Sequence, residues 1–390
     1  MKKIKYILIL LVAIMLTLTS EVYCAADEKE LNDNVDDQLD YLDTSELEDY
    51  LNGLSDSEKE LFGEGSFKEK VQAIISGDFK IGYSSFFDAI FGLFFKNILT
   101  YIPIFSSIGA ICIICGLITQ LKPSFLSEGT TNIIFFVTYS SILLLVLSSL
   151  FSLFQSVYES INSIKTQMDI SFPILLTLMA ASGGNVSVSV YQPAVAFLSS
   201  GIVQLFFTVV LPITALIIIF CVVGNMSDNI KLNKFIDLFK SINKWVIGLS
   251  LTVFTVFLSV QGITSASYDG ISFRAAKYAI GNSVPIIGGF LKDGFDLILA
   301  SSVLIKNAVG SGCIILLAGA VIVPLVEIAA YNLFLKLTAA VIEPVNDSKI
   351  ATFLSSLSSG INYLTASLLA IAFMYFITIM LLVCSSNSFF

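Results

Sequence analysis

Histidine is absent from this chain of 390 residues, and charged side chains are scarce. Without histidine there can be no His-liganded zinc site, no Ser-His or Cys-His nucleophile pair and no histidine proton relay. Charged residues make up 13% of the sequence, whereas a soluble domain carries about 25%. Hydrophobic residues make up 56%, and the mean hydropathy is +0.87. A chain this apolar could not cover a water-exposed surface, so we predict an integral membrane protein.

Several sequence motifs that would indicate other functions are also missing. The phosphate-binding pattern GxxxxGK[ST] does not occur, so any ATPase activity would have to be supplied by a partner. No basic patch with interleaved aromatic residues is present, which argues against nucleic-acid binding. Asp269, Asp293 and Asp296 form no recognisable protease motif, and most of the six cysteines lie in apolar runs, where Cys acts as a small hydrophobe. We therefore predict no enzymatic activity, no cofactor and no metal.

The N-terminus has the layout of a secretory signal peptide over residues 1–26. Lys2, Lys3 and Lys5 precede an apolar run from Ile7 to Leu18, and small residues follow near a cleavage site at Cys24 or Ala26. The alternative is an uncleaved first transmembrane anchor. Both interpretations place residue 27 onward outside the cytoplasm.

Residues 27–83 form an acidic region, because segment 21–70 alone holds 17 of the 30 acidic residues. Helical spacing of its apolar residues predicts short amphipathic helices. Three capping boxes are expected in it, at Ser45 with Glu48, Ser55 with Glu58, and Ser66 with Glu69. These helices would dock on a partner or on the outer face of the protein itself, unless the region is a loosely ordered spacer. We predict that residues 84–98 form an amphipathic helix in the membrane interface.

Residues 99–390 predict a polytopic membrane domain, since a membrane-spanning helix needs about 20 apolar residues. The candidate spans are 99–119, 131–154, 197–223, 245–265, 309–330 and 361–383. A seventh apolar segment, 170–182, is short and is bounded by Pro173 and by Gly183-Gly184. If it is re-entrant, the loop with Lys231, Lys234, Lys240 and Lys244 becomes cytoplasmic, in agreement with the positive-inside rule. The prediction is an all-α protein with six to seven spans and a re-entrant or broken segment near 170–184.

Two stretches, 168–197 and 265–310, mix Gly, Pro, Asn and Ser with apolar residues. Such segments disrupt helical hydrogen bonding and often mark transport sites in membrane proteins. The second stretch contains Arg274, the only arginine of the chain, with Lys277 on the same helical face. Alternatively, 265–310 is an extracytoplasmic interfacial loop with solvated charges. In the first stretch, Gly183-Gly184 could equally form only a turn or a tight helix contact.

Four strings in these stretches resemble the stage III sporulation protein AE family of endospore-forming bacteria. They are FPILLTLMAASGG (172–184), YQPAV (191–195), YDGISFRAAKYAIGNSVPIIGGF (268–290) and SSVLIKNAVG (301–310). The resemblance covers most of the chain, including the signal peptide and the acidic region.

The resemblance implies a role in sporulation, in the mother-cell membrane that surrounds the forespore. It implies a permease-like or structural core subunit of the mother cell–forespore channel complex, with other stage III sporulation membrane proteins and the bilayer as partners. The alternative is an independent secondary transporter of a small solute. The candidate structural or pathway residues are Pro173, Gly183, Gly184, Gln192, Pro193, Asp269, Arg274, Lys277, Asn282, Pro285, Gly288, Lys306 and Asn307.

Overall fold

A computed structural model describes residues 28–54, 59, 65–77, 83–120, 128–226, 232–283, 288–344 and 348–385. Within these ranges, side chains are described except at a few positions near helix ends and in the segment 260–293. The predicted signal peptide over 1–26 lies outside the described residues. The predicted domain boundaries stay predictions.

The described chain folds into nine helices and contains no strand in these ranges. The helices are α1 (Glu28–Tyr41), α2 (Ser45–Asn52), α3 (Phe67–Ile75), α4 (Tyr83–Gln120), α5 (Glu128–Ala181), α6 (Asn185–Gly224), α7 (Asn233–Ser283), α8 (Gly288–Ile342) and α9 (Ser348–Cys384). Helices α4 to α9 are long and apolar enough to cross a membrane. The all-α fold and the six spans are therefore confirmed.

Several of these helices are much longer than the spans predicted from hydropathy. Helix α5 has 54 residues and α8 has 55. At 1.5 Å per residue each is about 80 Å long, whereas the hydrocarbon core of a bilayer is about 30 Å thick. Hydropathy marks only the apolar part of each helix, and the helices continue beyond it as a packed bundle.

The break near 170–184 is confirmed, but the re-entrant interpretation of 170–182 is not. Residues 170–181 continue helix α5, and the break is a turn at 182–184. Gly183 adopts φ of +89°, and its N–H donates to the carbonyl of Ala180 over 3.0 Å. The N–H of Gly184 donates to the carbonyl of Met179 over 2.9 Å. This is a Schellman motif with glycine in the left-handed position.

Large apolar side chains that are exposed to the surroundings form a belt around one part of the bundle. This apolar belt includes residues within 91–118 of α4, 133–158 of α5, 197–226 of α6, 235–256 of α7 and 333–341 of α8. Beyond Tyr158, the exposed positions of α5 are mostly polar, among them Glu159, Asn162 and Asp169. The belt marks the lipid-facing surface, because exposed apolar rings and aliphatic chains of this number are unfavourable in water.

The belt divides the bundle into two ends. The distal end carries the turn at 182–184 and the last residues of α9, and the proximal end carries Lys234, Lys240 and Lys244 of α7. Helix α9 is the most enclosed of the six, and it packs against α5, α6, α7 and α8. It therefore lies at the centre of these four helices.

Helices α1 to α3, here called the N-terminal module, pack on the distal part of α5 and α8. The module therefore docks on the protein itself, which is one of the two docking surfaces that the sequence left open. The apolar positions that the helical spacing selected face this contact, since Val35, Leu39, Leu47 and Leu51 are all buried. Their burial removes apolar surface from water and holds the module in place.

The capping boxes of this module have different outcomes. The Ser66–Glu69 box is confirmed by both of its hydrogen bonds. The Ser45–Glu48 box is wrong, because α2 begins at Ser45 and that hydroxyl donates to Asp43. Glu48 Oε1 instead accepts from the backbone N–H of Phe67 over 2.6 Å and ties α2 to the start of α3. The Ser55–Glu58 pair lies outside the described residues.

The segments predicted at 84–98 and 265–310 are helical. Residues 84–98 are part of the continuous helix α4, so no helix ends at the predicted boundary; their position in the membrane interface stays a prediction. Helix α7 continues through 265–283, and α8 starts at Gly288. The second stretch therefore belongs to two long helices that extend beyond the apolar belt.

Candidate functional site at the distal end of the bundle

Lys306 is the only charged side chain among the fully buried residues of the described chain. It lies on α8 within the string SSVLIKNAVG and is 0% exposed. One turn later Gly310 allows α8 to approach α9 closely, since a Cβ at this glycine would overlap Cγ2 of Val383. A lysine enclosed in this way is costly to bury and is therefore a strong candidate for function.

The turn after α5 reaches the same end of α9. Ser385 donates to Ser187 Oγ over 3.2 Å, and Ser187 lies in the first turn of α6. Gly184 is buried and is the N-cap residue of α6, without a side-chain cap. The structure thus brings the glycine pair 183–184, Lys306 and the end of α9 to one place, here called the distal junction.

Asn307 lies beside Lys306 and is half-buried. Its Oδ1 atom is enclosed but has no hydrogen-bond partner in the described part of the chain. A buried amide oxygen without a partner costs about 1–3 kcal/mol. Such a cost marks Asn307 as a candidate for contact with a further group at the distal junction.

The N-terminal module contacts the same string of α8 from another side. Gln38 donates to Ser301 Oγ over 2.7 Å, and Ser302 donates to Gln38 Oε1 over 2.9 Å. Further along α8, Gly312 faces the ring of Phe67. Burial lowers the pKa of Lys70 in α3, and the nearby carboxylates of Glu48 and Glu69 offset only part of this effect. One short string of α8 therefore serves both the module and the α9 contact.

A buried hydrogen-bond chain, which the sequence did not indicate, connects the N-terminal module to α9. Tyr50 of α2 lies 2.6 Å from Ser163 Oγ and accepts from Gln167 Nε2 over 2.7 Å. Ser171 donates to the carbonyl of Gln167 and lies 2.7 Å from Tyr375 OH of α9. Gln167 and Ser171 are four residues apart on α5, so both lie on one face of the helix, and this spacing was the available signal.

Other predicted residues lie away from the distal junction or beyond what is described. Pro173, Gln192 and Pro193 are exposed, on the part of α5 and α6 beyond the apolar belt. Two π-helical segments, Phe197–Ile202 and Phe206–Val210, follow Pro193 in α6. The side chains of Asp269, Arg274, Lys277 and Asn282 are outside the described residues, as is Pro285 entirely. Gly288 is the first residue of α8.

Comparison with known proteins connects these strings to a family. The model of the stage III sporulation protein AE family matches residues 65–386. The chain belongs to this family. Stage III sporulation protein AE of Bacillus subtilis (strain 168) is 25% identical over 394 residues, covering 99% of this chain and 98% of that protein. No solved structure matches.

Family membership and fold together define what the chain is. It is a multi-pass membrane protein of the stage III sporulation protein AE family, and a sporulation role fits it. The family match includes α8 and the turn at 182–184, so the distal junction lies inside the matched region. It does not include the first two helices of the N-terminal module.

Proposed function

We propose that this protein is a structural core subunit of the mother cell–forespore channel complex, in the mother-cell membrane around the forespore. The supporting observation is the part of the bundle beyond the apolar belt. Residues 159–181 of α5 rise about 35 Å beyond the last exposed ring of the belt at 1.5 Å per residue. A membrane subunit that joins two membranes needs a rigid extension of this kind.

The orientation of the extension follows from charge. Lys234, Lys240 and Lys244 lie near the start of α7 at the proximal end, and lysine-rich connections face the cytoplasm. The distal end then faces the space between mother cell and forespore. Exposed polar side chains there, including Asp169, Asn185 and Gln192, are available to other stage III sporulation membrane proteins.

The distal extension is also closed by the protein's own N-terminal module. The buried chain from Tyr50 to Tyr375 makes the module and α9 one packed unit. A closely packed extension is rigid. Rigidity suits a subunit that undergoes no large motion and holds neighbouring subunits in fixed positions. Permease-like action would use the six spans, with any ATPase activity supplied by a partner.

The proposal is tested by purifying the tagged protein from sporulating cells that carry single substitutions. Gln192→Arg places a charge on the exposed distal surface of α6, and Asn233→Arg is its matched control at the exposed start of α7. We expect Gln192→Arg to reduce co-purification of the other stage III sporulation membrane proteins and to lower spore yield. The control should leave both unchanged.

Two outcomes would contradict the proposal. In the first, the wild-type protein co-purifies with no other sporulation membrane protein. In the second, the purified chain alone transports a small solute into liposomes, which would support a secondary transporter instead.

A further inference from the structure

Glu327 is a half-buried carboxylate in the apolar part of α8. Its two hydrogen-bonding partners, Tyr101 and Ser156, lie in the apolar belt. Leu99 and Ile102 beside Tyr101 are exposed large apolar residues. On α5, Phe151 and Tyr158 flank Ser156 in the same way. The carboxylate is therefore at the level of the lipid-facing surface.

Three helices converge on this carboxylate. Tyr101 OH of α4 donates to Glu327 Oε1 over 3.2 Å, and Ser156 Oγ of α5 donates to Oε2 over 2.7 Å. The ring of Tyr331, one turn along α8, packs edge-on against Tyr101 with centroids 5.2 Å apart. The side-chain oxygens of these three residues, Glu327, Ser156 and Tyr101, thus form one cluster, and aromatic rings partly enclose it.

No basic side chain neutralises this group within the described residues. No Lys or Arg nitrogen there lies within 4.0 Å of the Glu327 carboxylate. On the two partner helices, the charged residues nearest in sequence are Lys96 and Glu159; both are exposed, and Glu159 accepts from Gln155. Two neutral hydroxyl donors do not balance a charge in apolar surroundings, and ionisable side chains within apolar spans are usually paired or serve ion pathways.

We propose that Glu327, Ser156 and Tyr101 form a binding site for Na⁺. An anionic carboxylate and two hydroxyl oxygens are the ligand types that hard cations prefer. Because the site joins α4, α5 and α8, its occupancy would alter the packing of three spans. The site is independent of the contacts at the distal junction.

The test uses the purified full chain in liposomes and N,N′-dicyclohexylcarbodiimide, which modifies protonated carboxyl groups in apolar surroundings. Mass spectrometry of peptides locates the modified residue. We expect labelling at Glu327 and its loss in Glu327→Gln. Added Na⁺ should slow the labelling at constant pH and ionic strength. Labelling that Na⁺ does not slow under these conditions, or no labelling of Glu327, overturns the proposal.

Two conservative variants separate a binding site from a structural hydrogen bond. Ser156→Ala and Tyr101→Phe keep the carboxylate but remove one oxygen each. Losing a hydrogen bond to a charged group shifts a binding midpoint by about tenfold. We expect a shift of this size, towards higher concentration, in the Na⁺ concentration that halves the labelling. Glu159→Gln is the matched control and should not change it. A lowered melting temperature without a shifted midpoint would show a structural role only.

Discussion

Lys306 shows how much the position of one side chain depends on its neighbours. In the sequence it is one of several charges scattered over the 265–310 stretch. In the structure it is the one that α9 encloses, while the side chains of Arg274 and Lys277 are outside the described residues. A buried amine must be solvated by protein groups, and this requirement is what separates Lys306 from a solvated surface lysine.

Replacing Lys306 by methionine should separate stability from function. Methionine has a similar length and no charge to bury, so the free energy of unfolding should change by less than about 2 kcal/mol. We expect the melting temperature in detergent to be retained and spore yield to fall. Lys165→Met is the control, because Lys165 forms a partly exposed pair with Asp169. Normal sporulation of Lys306→Met would contradict a functional role for this lysine.

Gly183 should be sensitive to the addition of a single methyl group. Its φ of +89° is in the left-handed region, where an L-residue costs about 1–2 kcal/mol. Gly183→Ala should lower the melting temperature, and Gly183→Asn should lower it less. Gly109→Ala is the matched control, because a Cβ at Gly109 meets open space. Equal effects of the two alanine variants would argue against a conformational requirement at the turn.

At the scale of helices, the contact between α8 and α9 organises the distal part of the bundle. Gly310 lets the two helices approach, and α9 in turn presents Tyr375 to α5 and Ser385 to α6. Helix α9 therefore links three neighbours at one end. Its burial explains why a helix this apolar can extend beyond the lipid-facing belt.

The close approach of α8 and α9 predicts a compensating pair of substitutions. Gly310→Ala inserts a methyl group against Val383 and should destabilise the protein by about 1–3 kcal/mol. Val383→Ala removes the opposing methyl groups, so the double variant should be less destabilised than the sum of the two single variants. Thermal unfolding of all four proteins measures this coupling. Additive effects would mean that the two helices separate to admit the methyl group.

For the whole molecule, the testable quantity is the orientation of the bundle. In a cysteine-free background expressed in non-sporulating cells, Asn185→Cys and Gln192→Cys should react with a membrane-impermeant maleimide in intact cells. Lys234→Cys should react only after the membrane is permeabilised, because the lysine-rich proximal end is cytoplasmic by the positive-inside rule. The reverse pattern of labelling would place the distal extension in the cytoplasm and contradict the proposed function.

The sequence by itself determined the membrane class, the six apolar spans, the break at 183–184 and the family resemblance. These depend on local composition, on runs of about 20 residues or on short strings, all of which can be recognised in one dimension. The helices of the N-terminal module were also predictable, since their apolar residues recur with helical spacing. Their docking surface was left open between the chain and a partner.

Only the tertiary structure decided which polar residues meet. Gln38 with Ser301, Tyr101 with Glu327 and Ser171 with Tyr375 are each separated by about two hundred residues or more. Pattern analysis within a helix cannot identify such partners, because the partner lies on another helix whose rotation is set by packing. The same limit applies to the lengths of α5 and α8. The apolar part of a helix ends where its contact with lipid ends, whereas the helix itself continues as long as neighbouring helices pack against it.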